Sequence, residues 1–137
     1  MSSNIVLAAP EWCGAPGAKD EDIAALRSEL PFEPPAEYLD LLRVSNGGEG
    51  ELALPPLWLQ LFDISFALQL WSDTHYRKEY PMLFFFGSNG GLESIALDMS
   101  RPKPWPVVMV DCVAGIESSE VISQSMASFI QAIGRRC

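Results

Sequence analysis

The chain has 137 residues, room for one domain around one core. Its 48% hydrophobic and 20% charged residues exclude global disorder, and no apolar run approaches the ~20 residues that cross a bilayer. The net charge of −9 repels nucleic acid and anionic lipid, but would draw a basic protein inward; it also serves plain solubility.

Residues 1–19 hold Pro10, Gly14, Pro16 and Gly17 and read as an irregular leader that can end in a short edge strand. Residues 20–137 read as a single domain. The apolar patch from Ile5 to Ala9 has no basic flank and is too short for a signal-peptide core. Cys13, Cys112 and Cys137 are odd in number and scattered, which fits neither a disulfide framework nor a zinc knuckle. A reducing cytoplasm is the expected location. Cys112 lies in an apolar run and is expected to be a packed thiol.

Asp20 can cap a helix with Glu21 and Asp22 in its first turn and Ile23, Leu26 and Leu30 on its apolar stripe, ended by Pro31. Pro34-Pro35 suits the start of a second helix, on which Tyr38, Leu41 and Leu42 share a face. Asn46-Gly47-Gly48 stops it. GELAL (50–54) and LWLQLF (57–62) read as strands. In the second, Leu57, Leu59 and Leu61 point one way, and Trp58, Gln60 and Phe62 the other. Ile64, Ala67, Leu68 and Trp71 take helical spacing, Ser72-Asp73 ends that helix, and the polar THYRKEY leads to Pro81.

MLFFF (82–86) is continuously apolar, as in a strand covered on both faces. Asn89-Gly90 predicts a hairpin turn into ESIALD (93–98). The glycine-rich GSNGG does not read as a phosphate loop. It lacks the lysine followed by Ser or Thr, Glu93 stands where a cation is needed, and a strand rather than a helix follows. After a proline-rich loop with Arg101 and Lys103, VVMVDCV (107–113) reads as a buried strand. A last helix would carry Ile122, Met126, Phe129, Ile130 and Ile133, stopped by Gly134. This order gives an α+β fold: a largely antiparallel sheet flanked by about four helices.

Candidate chemistry is sparse. His75 is the only histidine, so multi-histidine metal sites are excluded, and a Cys112–His75 pair is a weak signal from two remote residues. Asp63, Asp73, Asp98 and Asp111 follow no EF-hand spacing and read better as structural or solvated carboxylates. Trp58 and Trp71 are expected in or near the core, while Trp105 sits in a loop. No cofactor or metal is expected.

Several segments together resemble the SUKH superfamily, named for the fungal Smi/Knr cell-wall regulators. They are LPFEPPAEYLDLLRVSNGGEGEL, PLWLQLFD, MLFFFGSNGGLESIALD with Asp98, and VISQSMASFIQAIG. The resemblance spans about residues 20 to 134 on the order of these elements. It departs from the common pattern where Leu92 intervenes before Glu93, and in the middle helix and THYRKEY. The resemblance implies an α+β, non-catalytic protein-binding module. Bacterial members are largely immunity proteins against polymorphic toxins, often nucleases; fungal members are regulatory hubs. An intracellular immunity protein that meets a basic toxin domain is therefore the first expectation. A regulatory module with a host partner is the second, and a small hydrolase the third. Glu49, Glu51 and Glu93, beside the two glycine turns, are the candidate partner-binding residues.

Overall fold

A computed structural model describes residues 12–134. The chain runs β1 (Cys13–Gly14), α1 (Asp20–Glu29), α2 (Ala36–Val44), β2 (Gly48–Glu51), β3 (Trp58–Leu61), α3 (Ile64–Ser72) and α4 (Thr74–Glu79). It continues through β4 (Leu83–Ser88), β5 (Glu93–Asp98), β6 (Val107–Asp111), a 3-10 turn at Ile116–Ser118, β7 (Glu120–Ser123) and α5 (Met126–Ile130). The strands form one 7-stranded sheet in sequence order, every pair antiparallel. This is the α+β fold that the element order predicts.

The centre of the sheet is buried twice. Phe84 and Phe86 of β4 face the main core with Ile95 and Leu97 of β5. Tyr38 and Leu42 of α2, Leu26 of α1 and Phe129 of α5 close that core from the helical side. Phe85 points to the opposite face and joins Leu83, Ala96, Val108, Val110 and Tyr80. Strand alternation alone puts Phe85 on that face, and a bulge follows it. Phe85 pairs with Ala96 but Gly87 pairs with Ile95, so Phe86 is an extra residue and both Phe86 and Gly87 stand opposite Ile95. Gly87 is required there: a Cβ would lie 2.8 Å from Leu59 Cδ1 and 3.0 Å from the Gln60 carbonyl.

The Asn89-Gly90 hairpin forms as expected, between strands at 83–88 and 93–98. The Asn89 side-chain oxygen accepts the N–H groups of Gly91 (2.8 Å) and Glu93 (3.2 Å), which fixes the turn without any anion.

Four local expectations are corrected. THYRKEY is a helix, because Asp73 accepts the Tyr76 N–H (3.1 Å) and starts a new turn where the previous helix ends. Its Arg77 lies over the Trp71 ring at 3.5 Å and donates to the carbonyls of Tyr80, Pro81 and Leu83. Burial lowers the Arg77 pKa. The final helix is shorter than its apolar spacing suggests. Val121 pairs with Val108 in strand β7, and Ser125 starts the helix by accepting the Ser128 N–H. Ile133 instead bridges to Leu52. Leu57 does not align with Leu59 and Leu61; it is exposed in the turn after Pro55-Pro56, with a φ of 74°. Strand β6 ends at Asp111, whose carboxylate accepts the N–H groups of Val113 and Ala114 and turns the chain, so Cys112 is exposed rather than packed.

The Tyr38 ring is fully buried against Phe84 and Phe86, at 5.6 and 5.8 Å between centroids, yet its hydroxyl has no hydrogen-bond partner. Burial, and next the charge of Asp63, push this phenol far above the usual tyrosine range. A buried unmade hydrogen bond costs about 1–3 kcal/mol. Tyr38→Phe should therefore leave urea stability unchanged or raise it by about 1 kcal/mol; a clear loss would reveal a partner for the hydroxyl. Arg77→Lys keeps the charge but loses the planar fork that reaches three carbonyls, and should cost about 2 kcal/mol in the same measurement.

Candidate protein-binding face

The second face of the sheet is covered unevenly. Over β4 to β6, Tyr76 and Tyr80 of the α4 segment pack on Phe85 at 5.3 and 5.1 Å between centroids. Burial, and next the Cys112 thiol, raise the Tyr76 pKa. Among the described residues, the same face is open over β1 to β3. Direct pairing places Cys13, Glu49 and Gln60 in one row, continued by Ser88 and Ser94. Glu51 and Trp58 form the next row. Cys13, Glu49, Gln60 and Trp58 are all exposed.

Trp58, expected in or near the core, is 37% exposed. Its indole N–H donates to Glu49 Oε1 at 3.0 Å, so the ring is held on the surface rather than free to rotate. Trp71 is half-buried against Phe32 and Phe84, and Trp105 is half-buried against Phe32 with Lys103 over its ring.

The three candidate glutamates do not form one cluster. Glu49 and Glu51 lie two residues apart on β2 and share the open face. Glu51 is half-buried, and its carbonyl accepts the Gly134 N–H at 2.7 Å, which ties the chain end to this strand. Glu93 pairs with Asp111 and alternates with Ile95 and Leu97, which places it on the helical side of the sheet. Its carboxylate accepts the Asn89 side-chain amide at 3.1 Å.

At the rim of the open face, β2, β3 and the start of α3 enclose a cleft of about 490 Å3. Asn46-Gly47-Gly48 forms its floor. Gly48 has a φ of 107°, and a Cβ there would sit 2.7 Å from the Cys13 carbonyl, so glycine lets β1 approach β2. Asn46 Oδ1 accepts the Ile64 N–H at 3.0 Å and links the floor to α3. Phe62 and Phe66 meet edge to face with centroids 4.6 Å apart, and Phe66 is 41% exposed. A larger groove of about 590 Å3 lies elsewhere, among Pro34, Pro35, Trp105 and Met126.

The four aspartates considered for a cation each have a structural task. Asp63 caps α3, Asp73 caps α4, and Asp111 caps the turn after β6. Asp98 is buried and accepts from Ser100 and Arg101, which fastens the proline-rich loop. Among the described residues no group of three or more His, Cys, Asp or Glu side chains could hold a metal. The Cys112 thiol is 3.1 Å from Ser94 Oγ, and no hydrogen bond joins it to His75, which is exposed on α4. Among the described residues, no helix is long and apolar enough to cross a membrane.

The chain is an antiparallel meander with its main helical cover on one face and, on the other, α4 beside an acidic, aromatic patch. The sequence matches the SMI1 / KNR4 family (SUKH-1) over residues 17–132, and the chain belongs to that family. No curated protein matches it individually. Membership places the chain, at family level, among immunity and regulatory modules that are generally not enzymes.

The sequence alone does not distinguish Asp63, Trp58 and Phe66 from capping and core residues. The alternation of Trp58, Gln60 and Phe62 was the available signal; which side of it stays uncovered depends on α4. His75→Ala should leave unfolding stability within about 0.5 kcal/mol and any partner affinity unchanged, since the ring is exposed and lies 6.1 Å from Tyr76 between centroids. Equilibrium unfolding and calorimetric titration check this.

Proposed function

We propose that this protein is an intracellular immunity protein, acting in the cytoplasm. It neutralises a polymorphic toxin by covering the toxin's active site or substrate groove. The toxin domain has a basic surface, as a nuclease does because it must meet phosphate. The observation that carries this reading is the open sheet face, where Glu49 and Glu51 flank the fixed indole of Trp58. Interfaces of this kind use an aromatic anchor at the centre and charge at the rim. The acidic surface speeds encounter, and the apolar contacts hold the complex. A regulatory module with a host partner is the second reading; the family embraces both, and a toxin gene next to this one favours immunity.

Co-expression with the neighbouring domain is the direct test: cells should survive the toxin only when this protein is present. Glu49→Lys with Glu51→Lys should slow association about tenfold at low salt. Glu93→Lys, on the other side of the sheet, should change it little. Raising salt should slow association far more than it speeds dissociation, since attraction is screened beyond ~8 Å at physiological ionic strength. If no adjacent product is toxic, or toxicity persists with the protein folded and abundant, the regulatory reading replaces this one.

A further inference from the structure

The cleft beside β2 and β3 has a lining chemistry that selects its occupant. The carboxylates of Glu49 and Asp63, the amides of Asn46 and Gln60 and the rings of Phe62 and Phe66 line it, and among the described residues no Lys, Arg or His does. Each carboxylate has one oxygen in use. Glu49 Oε1 accepts from Trp58 Nε1 at 3.0 Å, and Asp63 Oδ1 accepts the Phe66 N–H at 2.8 Å. Glu49 Oε2 and Asp63 Oδ2 make no hydrogen bond or ion pair within the described residues. Because one oxygen of each is tied down, both carboxylates are held in place before a ligand arrives. Asp63 also offsets the positive end of α3, which would otherwise repel a cation.

We propose that this cleft is the anchor site for one arginine side chain of the protein partner. An anion is excluded by the two carboxylates, and an apolar side chain would strip water from them without replacing it. A metal ion is disfavoured because among the described residues no group of three or more His, Cys, Asp or Glu side chains comes together here or elsewhere. A guanidinium meets every feature. Its plane suits the exposed ring of Phe66, and its N–H donors suit two carboxylates that line one cleft. Lysine brings the charge but neither the plane nor the fork. The inference rests on the reading of the chain as a binder of a basic protein, and it names the group on that protein which is recognised.

The test needs no toxin. The full chain, labelled with nitrogen-15, is titrated with N-acetyl-arginine amide, N-acetyl-lysine amide and N-acetyl-citrulline amide. Arginine should give saturable shifts at Gly47, Gly48, Glu49, Asp63 and Phe66 in the millimolar range. Citrulline, which has the same shape without the charge, should bind about tenfold more weakly, and lysine should fall between them. Glu49→Gln keeps an acceptor for Trp58 and removes the charge; Phe66→Leu keeps an apolar side chain and removes the ring. Each should weaken arginine about threefold or more in a protein whose remaining spectrum is unchanged. Non-saturating shifts, shifts centred elsewhere, or equal binding of citrulline would overturn the site. If a neighbouring toxin is neutralised but the two variants bind it with full affinity, the anchor falls and immunity stands. If arginine binds as described and no toxin is found, the anchor stands and immunity falls.

Discussion

Strand β4 has to be kept dry on both faces, and the rest of the structure answers that need. Phe84 and Phe86 require one cover and Phe85 another, within three consecutive residues. Each of these rings contributes roughly 2–3 kcal/mol when fully buried, so leaving either face wet would remove a large part of a small domain's stability. The main cover comes from α1, α2 and α5, joined by Ile64, Ala67 and Trp71 of α3. The second cover comes from the α4 segment, carried across by the chain as it leaves α3. Arg77 is the clasp of that crossing, stacked on Trp71 at one side and bonded to the carbonyls that lead into β4 at the other.

That second cover is short, and its shortness leaves the same face of β1 to β3 open among the described residues. α4 spans only Thr74–Glu79, enough to bring Tyr76 and Tyr80 onto Phe85 and its neighbours. It does not extend over β1 to β3. Those strands therefore carry the residues of a wet surface, Glu49, Glu51, Gln60 and an indole fixed by a hydrogen bond. The sheet's other side at β2 and β3 is as dry as the centre, with Leu59 and Leu61 buried. One part of the sheet thus serves as a rigid platform, its side chains positioned by strands rather than by mobile loops.

The glycine turns have different physical roles. Asn89 and Glu93 close the hairpin on themselves, so that turn is a structural device on the helical side of the sheet. Asn46-Gly47-Gly48 turns the chain after α2 has ended at Ser45, admits β1 at Gly48, and lines the cleft. A turn that does three tasks is harder to replace than one that does only the first.

Much of this was legible in the sequence, for local reasons. The run MLFFF announced a strand buried twice, Pro34-Pro35 and Asn46-Gly47-Gly48 bracketed α2, and Asn89-Gly90 announced the hairpin, because turn and cap chemistry acts over a few residues. Alternation also put Trp58, Gln60 and Phe62 on a common side. What it could not set was whether that side is covered, since this depends on a six-residue helix that Asp73 caps, Arg77 fastens and Tyr76 packs down on Phe85. The last helix misled for a similar reason: Ile122 and Met126 fit a helical stripe equally well, and pairing of Val121 with Val108 decided for a strand. Nor could charge alone separate Glu49 and Glu51 from Glu93. Strand register did so, because the direction of a side chain from a sheet follows its place in the pairing, and that place is set by contacts far away in the chain.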